Sequence, residues 1–195
     1  MSISEPPRGL RHRKKIATRR AIRRSAIHLF EQQGFANTTI EQIAAASDVS
    51  ARTFYRYYAT KEAVLICDQA EPIVAAFRDA PAHLSPVAAY RHAVNAYFAG
   101  LSDDDRHDTI VAQHMLYSLH ETRGVLYAEY TELMALMTDA LQYRPGPSLG
   151  LAERRVIAGA IIGVLMAVSD GEPLPEESLG NALDILESTL APPVR

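Results

Sequence analysis

Residues 39–57 hold two short helical runs separated by a three-residue turn, a pattern that few folds accommodate. Thr39 with Gln42 three residues on is a capping-box sequence, and Ile40, Ile43 and Ala44 form the inner face of the first run. Ser47-Asp48-Val49 makes the turn, and Ser50 is placed to cap the second run, which reaches about Tyr57. Upstream, from about Leu10 to Gln33, Ile22, Ala26, Leu29 and Phe30 recur at i, i+4, i+7 and i+8, with arginines on the other faces. Gly34 then supplies a helix stop. Three helices with a tight turn between the second and third are a helix-turn-helix unit.

The remainder also reads as helical. Thr60 is placed to cap a longer helix beginning near Lys61, which Pro72 must kink or end. Ser85-Pro86 pairs an N-cap with proline at the first helical position, predicting a helix to about Leu101. Further helices are predicted from Asp103 to about His120, from about Arg123 to Leu141, from about Leu151 to Val168 and from about Glu176 to Leu190, with a loop at residues 144–148. There is no β-hairpin pattern and no repeat. The expected fold is all-α, with residues 1–9 as a disordered arm, 10–60 as the helix-turn-helix domain and 61–195 as a helical body.

Charge divides the chain in the same place. Residues 1–62 carry twelve Lys/Arg against five acids, a net of +7, whereas the remaining 133 residues carry a net of −10. A basic N-terminal third on an acidic protein is the footprint of a polyanion-binding module. The 48% hydrophobic and 22% charged composition is that of a globular protein rather than a disordered tail or a fibre. The lone Cys67 allows no internal disulfide, and no apolar run follows the basic N-terminus as a secretion signal would require. The longest apolar stretch, Val156 to Val168, is thirteen residues, against roughly 20 for a membrane span. These features predict a soluble protein of the reducing cytoplasm, with no membrane partner.

In the second short helix of the pair, Val49 and Phe54 can join Ile40, Ile43, Leu29 and Phe30 in a small core, leaving Ala51, Arg52, Tyr55 and Arg56 facing outward. Arg52 near the helix start suits contact with base edges, because that end of a recognition helix lies deepest in the major groove. Ser50 at the helix start, and the hydroxyls of Thr53 and Tyr57, are candidates for phosphate contact, as is Lys61 at the next predicted helix start. Tyr58 is assigned to burial. Thr39 and Gln42 open the helix that should cross the DNA backbone. Arg11, Arg13, Lys14 and Lys15 are placed to follow the backbone, to enter an adjacent minor groove, or simply to screen charge.

The run from about Arg19 to Leu65, including AIHLFEQQGFANTTIEQIAAASDVSARTFYRYYATKEAVL, resembles the N-terminal DNA-binding domain of TetR-family transcriptional repressors. It covers roughly a quarter of the chain, with Gly34-Phe35, Thr38-Thr39, Val49-Ser50, the Thr53–Tyr58 run and Lys61-Glu62 as landmarks. The resemblance implies that Ala51, Arg52, Thr53, Tyr55, Arg56, Tyr57 and Lys61 face DNA. GLRHRKK, taken with ARTFYRYYATKEAVL, is also similar to actinobacterial regulators of the mycofactocin kind, some of which respond to acyl-CoA.

The family further implies a homodimer and an inducer pocket. Val156, Ala160, Ile161, Val164 and Leu165 line one face of the penultimate helix, with Gly159 and Gly163 spaced for close helix approach. Leu179, Leu183, Leu186 and Leu190 stripe the last helix, so two helices per subunit would make a four-helix interface, unless these stripes fill the monomer's own core. For the pocket, the aromatic and methionine residues of 66–141 are the candidates: Phe77, Tyr90, Tyr97 and Phe98, then Met115, Tyr117, Tyr127, Met134 and Met137. Their bias suggests an apolar or amphipathic effector.

Catalysis finds no support. His107 and His114 lie seven apart, about 10.5 Å along a helix and too far to share a metal. There is no HExxH, no paired CxxC and no glycine-rich phosphate loop. No cofactor and no metal site are expected. The expected function is a homodimeric DNA-binding repressor released from its operator by a small ligand. The alternatives are an architectural DNA-binding protein without effector, or an interaction protein with acidic partners.

Overall fold

The computed structural model describes residues 8–66, 69–146, 148–169 and 176–190, and divides into two compact units, the first ending at Leu65 and the second beginning at Ile66. The expected arm at residues 1–7, Cys67, and the side chains of Arg11 and Leu190 lie outside the described residues. Among the described residues there is no strand. Among the described residues no helix is long and apolar enough to cross a membrane.

The first unit holds α1 (Arg8–Gln33), α2 (Ile40–Ala46) and α3 (Ala51–Tyr57), followed by a 3-10 turn at Glu62–Leu65. The helix begins at Arg8, so Arg8 and Gly9, expected in the arm, belong to α1. Gly34 ends it in the left-handed conformation (φ +83°), its N–H donating to the Phe30 carbonyl at 2.9 Å. That conformation crowds any Cβ, so glycine is the residue for it. At the end of α2, Asp48 takes φ +53° while Val49 N–H donates to Ala44 and Asp48 N–H to Ala45. This is a Schellman closure with aspartate where glycine is usual, and it makes the turn tight enough to bring α3 back onto α2.

Ile22, Ala26, Ile27 and Phe30 of α1 are buried, as are Ile43 and Ala44 of α2 and Phe54 of α3. Val64 and Leu65 are fully buried as well, which is why the first unit extends to 65 rather than stopping at 60. Leu29, Ile40 and Val49, expected in this core, are only half-buried, and Ile27 takes a larger share than the stripe predicted.

The second unit contains α4 (Ala70–Asp79), α5 (Pro86–Ala99), α6 (Asp103–Ser118), a 3-10 turn at His120–Thr122, α7 (Arg123–Ala140), α8 (Leu151–Val168) and α9 (Glu176–Leu190). The helix expected from Lys61 is instead a four-residue 3-10 turn and a separate α4. Pro72 therefore sits in the first turn of α4, where backbone N–H groups have no intrahelical acceptor, and it neither kinks nor ends the helix. Ser85 and Ser102 cap α5 and α6 by accepting from Ala88 and Asp105 N–H.

The helices pack around one core: α4 lies on α5 and α7, and α8 lies between α7 and α9. Two polar ties join α5 to α9, Ser85 donating to Glu187 and Arg91 pairing with Asp184. Arg144, just past α7, donates to the carbonyls of Phe77, Ala80, Pro81 and Leu84, and its guanidinium lies 5.1 Å from the Phe77 ring centre. A cation thus closes the C-terminal end of α4, where carbonyls lack partners and the helix dipole is negative.

Candidate nucleic-acid interface and ligand pocket

The face that α3 presents follows from its seven residues. Phe54 is fully buried, with Tyr58 at 5.8 Å between ring centres, so the helix is pinned by its inner side. Tyr58, buried as expected, donates its hydroxyl to the Arg19 carbonyl at 3.2 Å. Arg52, Tyr55 and Arg56 are left exposed, and Ala51, Thr53 and Tyr57 half-exposed. The guanidinium of Arg56 lies 5.2 Å from the Tyr57 ring centre, which orients both side chains. An α-helix with its side chains is about 10–12 Å across, which a major groove about 12 Å wide admits.

The caps hold this surface in place. Ser50 Oγ accepts Thr53 N–H at 3.1 Å. Thr39 Oγ accepts Gln42 N–H at 3.2 Å, and Gln42 Oε1 in return accepts Thr39 N–H at 2.9 Å, completing the capping box. Gln42 Oε1 also accepts from Gln33 Nε2 at 2.9 Å, so its acceptor is committed within the unit. Lys61 departs from the sequence expectation. No α-helix starts there, and its ammonium donates inward to the carbonyls of Phe35 at 2.7 Å and Thr38 at 2.9 Å, lying 4.2 Å from the Phe35 ring centre. Two of its three donors thus tie down the loop between α1 and α2.

In the second unit a cavity of about 450 Å³ opens among α4 to α9. That volume falls within the usual range of roughly 300–1,000 Å³ for small-molecule sites. Of the residues expected to line it, Tyr90, Phe98 and Tyr117 do. Phe77 and Met137 do not: both are fully buried in the core, Phe77 beneath Arg144. Tyr97 stacks edge-on against Phe98 outside the lining, Met115 is half-buried elsewhere on α6, and Met134 is 37% exposed, with its sulfur 3.9 Å from where a Cβ on Gly159 would lie. Tyr127 is 57% exposed and likewise stays out of this cavity.

Polar groups escaped the sequence reading altogether. Gln69, Asn95, Gln113 and Glu129 line the cavity, as do the arginines 91 and 106. Gln113 Nε2 donates to Gln69 Oε1 at 3.4 Å, and Arg106 donates to the Phe98 carbonyl at 2.6 Å. Tyr130 O–H is 2.6 Å from Ser169 Oγ and also bonds Tyr117. The one available signal was helical spacing, since Tyr90, Val94 and Phe98 share one stripe of α5 with Arg91 and Asn95 beside it.

The expected dimer face divides. Leu179 and Leu183 are buried and line the cavity, and Leu186 packs against the same core, so the leucine stripe of α9 serves the monomer. On α8, Ile161 and Leu165 also turn inward, whereas Val156 is 71% exposed, Gly163 is exposed, and Gly159, Ala160 and Val164 are half-buried.

Residues 22–66 match the profile of bacterial regulatory proteins of the tetR family. The transcriptional regulator TcmR of Streptomyces glaucescens is 38% identical over 126 residues, which are 63% of this chain and 56% of TcmR. The mycofactocin biosynthesis regulator MftR of Mycobacterium tuberculosis is 38% identical over 52 residues, 27% of this chain and 26% of MftR. The chain thus spans about half the length of the first relative and a quarter of the second. Among solved structures, SmeT, the repressor of the Stenotrophomonas maltophilia efflux pump SmeDEF, superposes with a TM-score of 0.51 at 21% identity, over 88% of this chain and 89% of SmeT, a likeness of fold. With a matching domain profile over residues 22–66, the first unit is a DNA-binding domain of the tetR type, and the chain as a whole is similar to regulators that carry that domain.

Proposed function

We propose that this protein is a homodimeric repressor whose α3 reads an operator and whose cavity takes a small, largely apolar effector that releases it from DNA. The observation that carries this reading is the division of labour on α3: Phe54 anchors it, and Arg52, Tyr55 and Arg56 are left outside with no structural duty in the core. Ser50, Thr53, Tyr57, Thr39 and Gln42 supply phosphate contacts around that centre. Lys61 acts by holding the loop ahead of α2. The effector shifts the equilibrium only if it binds the DNA-incompetent arrangement more tightly. The cavity lining begins at Ile66, the residue at which the DNA-binding unit gives way to the second, so a ligand there acts on the connecting chain.

The direct experiment is binding of the purified protein to DNA upstream of its own gene at ~150 mM salt, a concentration at which non-specific affinity is weak, against scrambled competitor. Selective, saturable binding supports a sequence-specific regulator. Equal binding to both DNAs favours the architectural alternative. Arg52→Ala is expected to weaken operator binding by about 1–3 kcal/mol and to relax specificity at one base pair. A uniform loss on every sequence would reassign Arg52 to phosphate.

Dimerisation is supported by a glycine without an intrachain reason. A Cβ on Gly163 would meet nothing within 4 Å, although glycine inside a helix costs about 0.5–1 kcal/mol relative to alanine. Val156 and Met166 on α8, with Tyr127 and Met134 on α7 and Ile185 on α9, are exposed apolar residues that a second copy would cover. Two heads are also needed to grip half-sites about 34–36 Å apart. Gly163→Ala should therefore stabilise the isolated subunit by about 0.5–1 kcal/mol while weakening self-association in sedimentation experiments. Unchanged self-association would remove α8 from the interface.

A further inference from the structure

One polar side chain on the cavity wall takes no part in the hydrogen bonding of the fold. Tyr90 is 2% exposed and lines the cavity from α5, and among the described residues its hydroxyl has no hydrogen-bond partner. The neighbouring phenol is differently placed, because Tyr130 is satisfied by Ser169 and Tyr117. Burial, helped by the proximity of Tyr130, pushes the Tyr90 hydroxyl well above the usual phenol range. It is therefore a neutral O–H donor throughout the working pH range. It takes no part in the hydrogen bonding of the fold and borders the cavity, so it is available to an acceptor bound there.

The charges around it point to the kind of molecule that pairs with it. The Arg91 guanidinium is matched by Asp184, and the Arg106 guanidinium is turned onto the Phe98 carbonyl. Glu129 adds a negative charge to the wall. With Arg91 paired to Asp184, the remaining charges of the wall, Arg106 and Glu129, sum to zero, so the lining offers no net attraction to an ionic head group. A neutral oxygen acceptor meets a waiting donor, with Ile73, Val94, Leu116 and Leu133 to cover its apolar body.

Resting on the reading of this cavity as the effector site, we infer that the effector is an uncharged, mostly apolar molecule bearing an oxygen acceptor such as a ketone, and that the Tyr90 hydroxyl donates to that oxygen and selects for it. A site built around a hydrogen bond rejects the analogue that lacks the partner atom, because its own buried group is then left unpaired.

Three probes of one shape separate the possibilities: 2-acetylnaphthalene, 2-ethylnaphthalene and 2-naphthoate, titrated calorimetrically into the full chain and into Tyr90→Phe. The wild type should bind the ketone about tenfold more tightly than the ethyl compound, and more tightly than the carboxylate. In Tyr90→Phe, which keeps the ring and its volume, the ketone's advantage should disappear while the ethyl compound binds at least as well. The same variant without ligand should melt at the wild-type temperature or slightly above it, since the hydroxyl makes no hydrogen bond within the fold. A fall in melting temperature would show that the hydroxyl serves the fold. Equal affinity for ketone and ethyl compound, preference for naphthoate, or discrimination retained in Tyr90→Phe would each overturn the assignment of Tyr90 while leaving the cavity as a ligand site. Failure of all three probes to bind would overturn the cavity reading beneath it.

Discussion

Truncating Phe54 to alanine is expected to lower the stability of the N-terminal unit by about 3–5 kcal/mol, the range for removing a buried aromatic side chain. Phe54 is fully buried and packs against Tyr58, and it is the only side chain of α3 that is buried in full. The unit ends at Leu65, and a domain that small has only a few kcal/mol of net stability, at roughly 0.05–0.15 kcal/mol per residue. Phe54→Ala should therefore leave the helix-turn-helix largely unfolded near 37 °C. Far-UV circular dichroism would show an early loss of helix, and operator binding would disappear with it. Tyr55→Ala, at a residue 54% exposed, should leave the melting curve within about 0.5 kcal/mol of wild type while still weakening DNA binding. If Phe54→Ala melts like the wild type, α3 is held by something other than its inner face.

The second large effect is expected in the other unit. Arg144→Ala should destabilise it by about 2–3 kcal/mol, because hydrogen bonds to a charged donor are worth about 1.5–3 kcal/mol and solvent compensates for only part of the loss. Four carbonyls lose the guanidinium at once, the nearest being Phe77 at 2.5 Å and Leu84 at 3.2 Å. Burial disfavours the charge on Arg144 and lowers its pKa, but guanidinium starts so high that the cation persists across the accessible pH range. Arg144→Lys should recover only part of the loss, since one ammonium cannot address four carbonyls from a planar fork. α4 carries Ile73 into the cavity wall, so loosening its C-terminal end should also weaken effector binding. Chemical denaturation with ligand titration on the same variants measures both effects. Full stability in Arg144→Ala would mean that water replaces the guanidinium at no net loss.

The helix ends were legible wherever a local rule governed them. Ser50 and Ser85 each cap the helix they precede, as expected, and α8 and α9 run over the residues expected from their patterns. Capping is decided within four residues, so the chain carries it in plain view. The region after Lys61 was misread because Pro72 marks either a helix interior or a helix first turn, and only the packing of α4 on α5 and α7 chooses between them. Lys61 was misread for a related reason: its acceptors, the carbonyls of Phe35 and Thr38, lie more than twenty residues upstream.

The candidate sites divide along the same line. Arg52, Tyr55 and Arg56 could be named because one buried residue, Phe54, sets the phase of a seven-residue helix and so determines what faces out. The cavity could not be drawn that way. An aromatic or methionine side chain looks the same in sequence whether it fills a core, as Phe77 and Met137 do, or borders a void, as Tyr90 and Phe98 do. A void exists only where helices distant in sequence fail to close on one another, and that depends on all of their packing angles together. By itself, then, the sequence determined most of the helices, the caps at Ser50 and Ser85 and the outward face of α3, all of which are short-range. The tertiary structure alone decided that the leucines of α9 face inward, that Arg144 closes α4, and that the Tyr90 hydroxyl lies beside an open space with no partner, because each of these depends on contacts between residues far apart in the chain.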